Sequence, residues 1–213
     1  RWQAVSGASY MFKKNDALFK QVLQDKLKHI DDKEEKENFK KSLIISESER
    51  YFHRDISMEP NYYEFKIDST HFMNSKELFI QSNEIMMDQI KILKDEFPKI
   101  SSGDDSILEL QSNKENVYKI IIQGYDDTIG NTLQSFISRY MIDNDSLFSV
   151  CGYKRTHPLE ETIVFYLTIN VNHKISRAND TQKIVNIIQE LQEACDNLIN
   201  LYALIKKEAE KEL

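Results

Sequence analysis

The residues of this chain able to bind a metal or attack a substrate are few and scattered. Five histidines, His29, His53, His71, His157 and His173, stand far apart, and no pair has ligand spacing on one helix face. Cys151 and Cys195 form no C-x-x-C pair, which excludes a zinc or dithiol motif and reads as two reduced, buried thiols of an intracellular protein. His157-Pro158 has two chemical readings. One is a catalytic or metal-binding imidazole. The other, simpler one is a corner between strands, because proline fixes its own φ and pushes His157 towards extended geometry. No nucleophile elbow, phosphate loop or metal set accompanies it, so the expectation is no catalytic residue, no metal and no cofactor. Lys154 and Arg155 make this corner locally basic and suited to an acidic partner surface.

The surrounding composition points to long helices and a highly charged surface. The chain has 213 residues, 30% charged and 40% hydrophobic, with only five Gly and three Pro. A net charge of -7 argues against gripping nucleic acid over the whole surface. No apolar run is long enough to span a bilayer, and no signal peptide is visible. The first residue is Arg1 rather than Met, which reads as a piece of something longer.

Periodicity then lays out the elements. Arg1 to Tyr10 reads as extended or irregular. From Asp16, Phe19, Val22, Leu23, Lys26, Leu27 and Ile30 share a helix face, and Asp31 to Lys41 reads as a solvated helix or loop. Tyr62 to Asp68 alternates as a half-buried strand with Tyr63, Phe65 and Ile67 inward. Asn74 with Glu77 forms a capping box for a helix whose stripe is Phe79, Met86, Ile90, Leu93 and Phe97, stopped by Pro98. The polar stretch 101–106 reads as a linker. Ile107–Leu110 and Val117–Gln123 form a hairpin around Asn113–Asn116. Asp126 or Asp127 caps a helix with face Ile129, Leu133, Phe136, Ile137 and Tyr140. Strands follow at Leu147–Tyr153 and Thr162–Val171.

Asn179–Leu213 is one helix of about 50 Å at 1.5 Å per residue. Its rows Ile184-Leu191-Leu198-Ile205, Ile187-Ala194-Leu201 and Ile188-Cys195-Tyr202 are wider than a two-row seam, so part of it can cover a sheet while another part meets a partner. A homodimeric coiled coil is the competing reading. Gly130, in the first turn of its helix, costs roughly 1 kcal/mol against alanine, which calls for close approach of another backbone or helix. Asn131 beside it has donors and acceptors for a partner loop.

Taken as an ordered set, Asp127-Thr128-Ile129-Gly130-Asn131, then Gly152-Tyr153-Lys154, then His157-Pro158-Leu159-Glu160, then a strand and a long helix resemble the smaller alpha-like subunit of cellular RNA polymerases. Arg1-Trp2, Val5 and Ala8-Ser9-Tyr10, with the strand from Tyr63 to Ser69 and the helix after it, resemble the larger alpha-like partner; Ala4 stands where that family usually has proline. Both on one chain resemble the fused subunit of polymerases from large cytoplasmic DNA viruses. The low Gly and Pro content, with many Lys, Ile and Asn, suits an AT-rich genome.

The resemblance implies an α+β, two-layer fold of antiparallel strands with packed long helices, the alpha-like polymerase subunit dimerisation fold. It implies three regions: 1–100 as part of the larger subunit, 101–106 as linker and 107–213 as the smaller subunit. The implied function is a non-catalytic assembly scaffold, whose halves bury their long-helix faces against each other to form a platform. The implied partners are the two largest catalytic subunits, a small assembly subunit and the missing N-terminal part of the larger alpha-like subunit, with nucleic acid reached only indirectly and no membrane. The family's iron-sulfur or zinc ligands have no counterpart. Expected interface residues are Ile129, Gly130, Asn131, Tyr153, His157, Pro158, Leu159, Glu160, Ile184, Leu191 and Leu198. The expected location is host cytoplasm and virion if viral, nucleus if cellular. The rival reading is a free-standing interaction module that self-associates through its last helix.

Overall fold

A computed structural model describes residues 3–70, 73–102, 107–114, 116–141 and 146–212. Arg1, Trp2, His71, residues 103–106 of the expected linker, Glu115 of the hairpin turn and Leu213 lie outside the described residues, as does the side chain of Tyr140. The chain divides into two compact units, Arg1–Leu78 and Phe79–Leu213.

The first unit is built on an antiparallel ribbon of β1 (Val5–Phe12) and β2 (Tyr63–Ser69). Two helices stand between these strands in sequence, α1 (Asp16–Leu27) and α2 (Lys33–Glu47). Asn15 and Asp32 cap them by accepting from the backbone N–H groups of Leu18 and Glu35, so the charged run after Asp31 is a helix. Lys26 and Glu47 join the pair across a 2.6 Å ion pair, and Phe19 lies 5.5 Å from the ring of Tyr51. Register places Tyr10 opposite Phe65 and Phe12 opposite Tyr63. The expected half-burial of β2 is corrected here: Phe65 is 71% exposed, and only Ile67 and Ser69 of the strand are half-buried. Alternation put Tyr63, Phe65 and Ile67 on one face, but a two-stranded ribbon carries no layer over that face.

The second unit holds the main core. Its sheet runs β3-β4-β6-β5, antiparallel throughout, from β3 (Leu108–Lys114), β4 (Val117–Gln123), β5 (Phe148–Arg155) and β6 (Thr162–Ile169). Tyr118, Ile120 and Ile122 alternate along β4, and Ile163, Phe165, Leu167 and Ile169 along β6, so one face is apolar along its length. Against it lie α5 (Asp127–Phe136), α6 (Asp180–Glu212) and the part of α3 (Ser75–Glu96) from Phe79 onward. This is the α+β fold that the sequence implied. A short α4 (Lys99–Ser102) occupies the start of the expected linker.

Local chemistry sets the boundaries. Asn74 accepts from Lys76 N–H and donates its own N–H to Glu77, which is the capping box that starts α3. Asp126 caps α5 through Thr128 N–H at 2.9 Å, and Asn179 caps α6 through Gln182 N–H at 2.9 Å. Past Phe136 the chain makes one π turn, Ile137–Met141. The strand expected to reach Val171 stops at Ile169, because the Asn170 side chain captures Asn172 N–H and turns the chain. Cys151 and Cys195 are both free and buried, and burial pushes each thiol up to about 12.

Candidate assembly interface

α5 meets the sheet at Gly130. A Cβ built there would stand 2.7 Å from two ring carbons of Tyr153 on β5. The close approach that the glycine calls for is therefore supplied within the chain, by an aromatic ring rather than by a partner backbone. Tyr153 is held in turn by Phe165, whose ring centroid is 5.8 Å away. Burial, then the negative charge of Asp127, push the Tyr153 phenol up. Arg155 reaches the same Asp127 carboxylate at 3.5 Å, so the first turn of α5 and the end of β5 are tied by charge as well as by packing.

The His157–Glu160 segment is the turn joining β5 to β6. Glu160 N–H donates to His157 O at 3.1 Å, and Leu159 N–H donates to His157 Nδ1 at 3.2 Å. The imidazole is used as a backbone acceptor, which is the work of a corner residue. Arg155 Nε donates to Glu160 O and braces the turn from the strand. All four residues of the turn are exposed, Leu159 at 88%.

The remaining expected residues divide by burial. Ile129, Leu191 and Leu198 lie inside the chain's own core, with Ile184 packed half-buried against it. Asn131 is exposed, accepts from Ser135 Oγ and lines a groove between α5 and α6. This groove has a volume of about 430 Å³, and Phe136, Arg139, Leu201 and Tyr202 also line it. Sequence reasoning placed Leu201 and Tyr202 in rows of α6 but had no signal that Phe136 and Arg139 would face them.

α3 runs antiparallel to α6. Lys94 pairs with Asp196 and Glu84 with Lys206, each at 2.6 Å, and residue numbers that rise on one helix fall on the other. Ile90 and Leu93 of α3, and Phe97 just past its end, enter the common core with Ile187, Leu191 and Leu198. The last third of α6 leaves Leu201, Leu204 and Ile205 exposed on one side.

Glu190 anchors the other end of α6. It accepts from Ser146 Oγ at 3.4 Å, and that hydroxyl also accepts from Phe148 N–H at the start of β5. Burial, then Glu193, raise the Glu190 pKa above its ordinary value, while Ser146 and His173 act the other way. A carboxyl raised on folding binds its proton more tightly when folded. Stability from this group is therefore full below the unfolded pKa and declines as pH rises through the folded one. Glu190→Gln should raise the melting temperature relative to the parent at neutral pH, and the gap should close on acidification. Melting curves of both proteins across the acid range measure this.

Among the described residues no three of His, Cys, Asp and Glu come together as a metal would require, and no helix is long and apolar enough to cross a membrane. Residues 118–208 match the family model of the RNA polymerase Rpb3/Rpb11 dimerisation domain, a span from β4 through most of α6. No curated protein matches the chain. That span is similar to a domain through which RNA polymerase subunits dimerise.

Proposed function

We propose that this chain is a non-catalytic assembly scaffold of a DNA-directed RNA polymerase, with both alpha-like partners fused in one polypeptide. In this reading α3 is the dimerisation helix of the larger partner, and residues 107–213 are the smaller one. The observation that carries it is the seating of α3. A helix outside the matched span packs through Ile90 and Leu93, with Phe97 just past its end, into the core of the matched domain and makes two ion pairs to α6. A dimerisation domain with its partner helix supplied in the same chain would look like this.

The further partners in the proposal are the two largest catalytic subunits, a small assembly subunit and an N-terminal segment of the larger alpha-like subunit, with nucleic acid touched only indirectly. The exposed turn residues His157, Pro158, Leu159 and Glu160, together with Asn131, are the surface offered to those subunits. A large cytoplasmic DNA virus is the proposed source, which would place the protein in host cytoplasm and virion; a cellular source would place it in the nucleus.

Two measurements test the proposal. A protease site introduced between Gly103 and Ser106 should, after cleavage, leave the two pieces travelling together in sedimentation. The tagged native protein should copurify with the two largest polymerase subunits in near-equal amounts. Pieces that part on cleavage would remove the fused-partner reading, and a preparation free of polymerase subunits would remove the assembly role. The exposed stripe Leu201, Leu204 and Ile205 favours the alternative of self-association through α6. A symmetric dimer of the isolated chain that Leu204→Glu abolishes would support it.

A further inference from the structure

We propose that the start of α6 docks an acidic side chain of a second protein, whose carboxylate completes an ion pair with Lys183. This inference is independent of the polymerase reading, since it names the chemistry of a contact and not the machine that makes it. Lys183 lies in the first turn of α6 and is 6% exposed. Lysine is almost never buried to this degree unless an anion pairs with it. Its backbone N–H donates to Asn179 O, as the helix requires. Its side chain makes no ion pair and no hydrogen bond among the described residues.

The ammonium is within reach of a partner. Among the described residues, Asn116 Oδ1 is the side-chain polar atom that is both closed to solvent and unpartnered. The unpartnered Lys183 Nζ is not closed off in this way, so it still meets water. A lysine whose stem is buried and whose head stands fully in solvent is ordinary. Here the side chain shares the buried face of α6 with Ile187 and Ile188, and little surface is left for hydration. The cost of desolvation is present, and no opposite charge in the described chain offsets it.

The surrounding charge selects the occupant. Side chains on a helix lean toward its N-terminus, so Lys183 directs its head to the end where α6 carries its positive dipole. Lys174 and Arg177 stand just before that end, exposed and without ion pairs among the described residues. Asp180 is the one acid of residues 173–183. It is exposed, accepts from Tyr118 Oη at 3.5 Å and pairs with none of these cations. The segment is therefore a local cationic spot on a chain of net charge -7. A long polyanion such as nucleic acid would meet the repulsion of the whole chain, while a single carboxylate meets the local field. That selects an Asp or Glu of a protein partner.

The test treats the native assembly with a carbodiimide, which forms an amide between an amine and a carboxylate already in contact. Lys183 should be joined to an Asp or Glu of one other protein. Lys183→Met keeps a buried apolar stem and removes the charge. It should lower retention of that protein at least tenfold, as expected when one member of a desolvated charge pair is removed. The full chain carrying Lys183→Met should melt at the parent's temperature or higher, because an uncompensated charge is gone. No crosslink from Lys183 to another protein, or unchanged retention, would overturn the proposal. A lowered melting temperature in Lys183→Met would overturn it too, by showing that the cation is already satisfied within the chain. Stabilisation of the parent by inorganic phosphate at fixed ionic strength, or binding of DNA, either one abolished by Lys183→Met, would assign the site to a different anion and overturn it as well.

Discussion

Leu93→Asp is expected to strip α3 from the core of the second unit. Leu93 is 1% exposed and sits between Ile90 and Phe97 in the common core. An aspartate there leaves a charge buried without a partner, which belongs to the class of substitutions costing about 4–5 kcal/mol or more. The two ion pairs between α3 and α6 would not hold the helix alone, because solvent-facing pairs contribute little once the apolar seam between them is gone. Hydrogen exchange separates the outcomes. Amides of α3 should lose protection while those of β4 and β6 keep theirs, since the sheet retains α5 and α6 as cover. Ile92→Asp, one position away and 56% exposed, should change neither. Should the charge unfold the whole unit, Leu93→Ala provides a milder reading at roughly 2–5 kcal/mol. Full protection of α3 in both variants would show that the seam does not depend on Leu93.

Much of this arrangement was legible in the sequence, for reasons that differ by element. Strands β4 and β6 place Tyr118, Ile120, Ile122, Ile163, Phe165, Leu167 and Ile169 on the face that meets helices, although Val164 on the other face is also buried. The caps Asn74, Asp126 and Asn179 are short side chains in contact with their own backbone, so local sequence suffices to find them. The rows of α6 announced a face wider than one partner needs, and the structure divides that face between the sheet, α3 and an exposed end.

What stayed hidden depends on which surface covers which. A half-buried pattern in β2 named a face but not its cover, and Phe65 is found in solvent. Ile129, Leu191 and Leu198 read as apolar positions facing something, and periodicity is the same whether that something is the chain's own sheet or another subunit. Their burial within the domain leaves the exposed Asn131 and the His157–Glu160 turn as the expected residues that a partner can reach. His157 shows the same limit in reverse. A histidine beside proline could be chemistry or architecture, and the Leu159 N–H on its Nδ1 assigns it to the turn.

Gly130 carries the second large prediction, because its neighbour was the hidden part. The glycine's cost in the first turn signalled a close approach, but not that the approaching group lies on β5 of the same domain. Tyr153 cannot easily withdraw: its ring is packed beside Phe165, and Asp127 lies next to its hydroxyl. For Gly130→Ala, overpacking of about 1–3 kcal/mol is set against a gain in helix propensity of roughly 1 kcal/mol. A small net loss should result. Gly130→Leu adds three more heavy atoms to the same space and must either expel the Tyr153 ring or lift α5 from the sheet, so it should fall well below alanine in urea denaturation. Gly130→Leu with Tyr153→Ala provides the decisive comparison. If the ring is the obstacle, the double variant should recover part of the loss of Gly130→Leu, a non-additivity expected only for residues in contact. Additive losses would place the obstacle elsewhere.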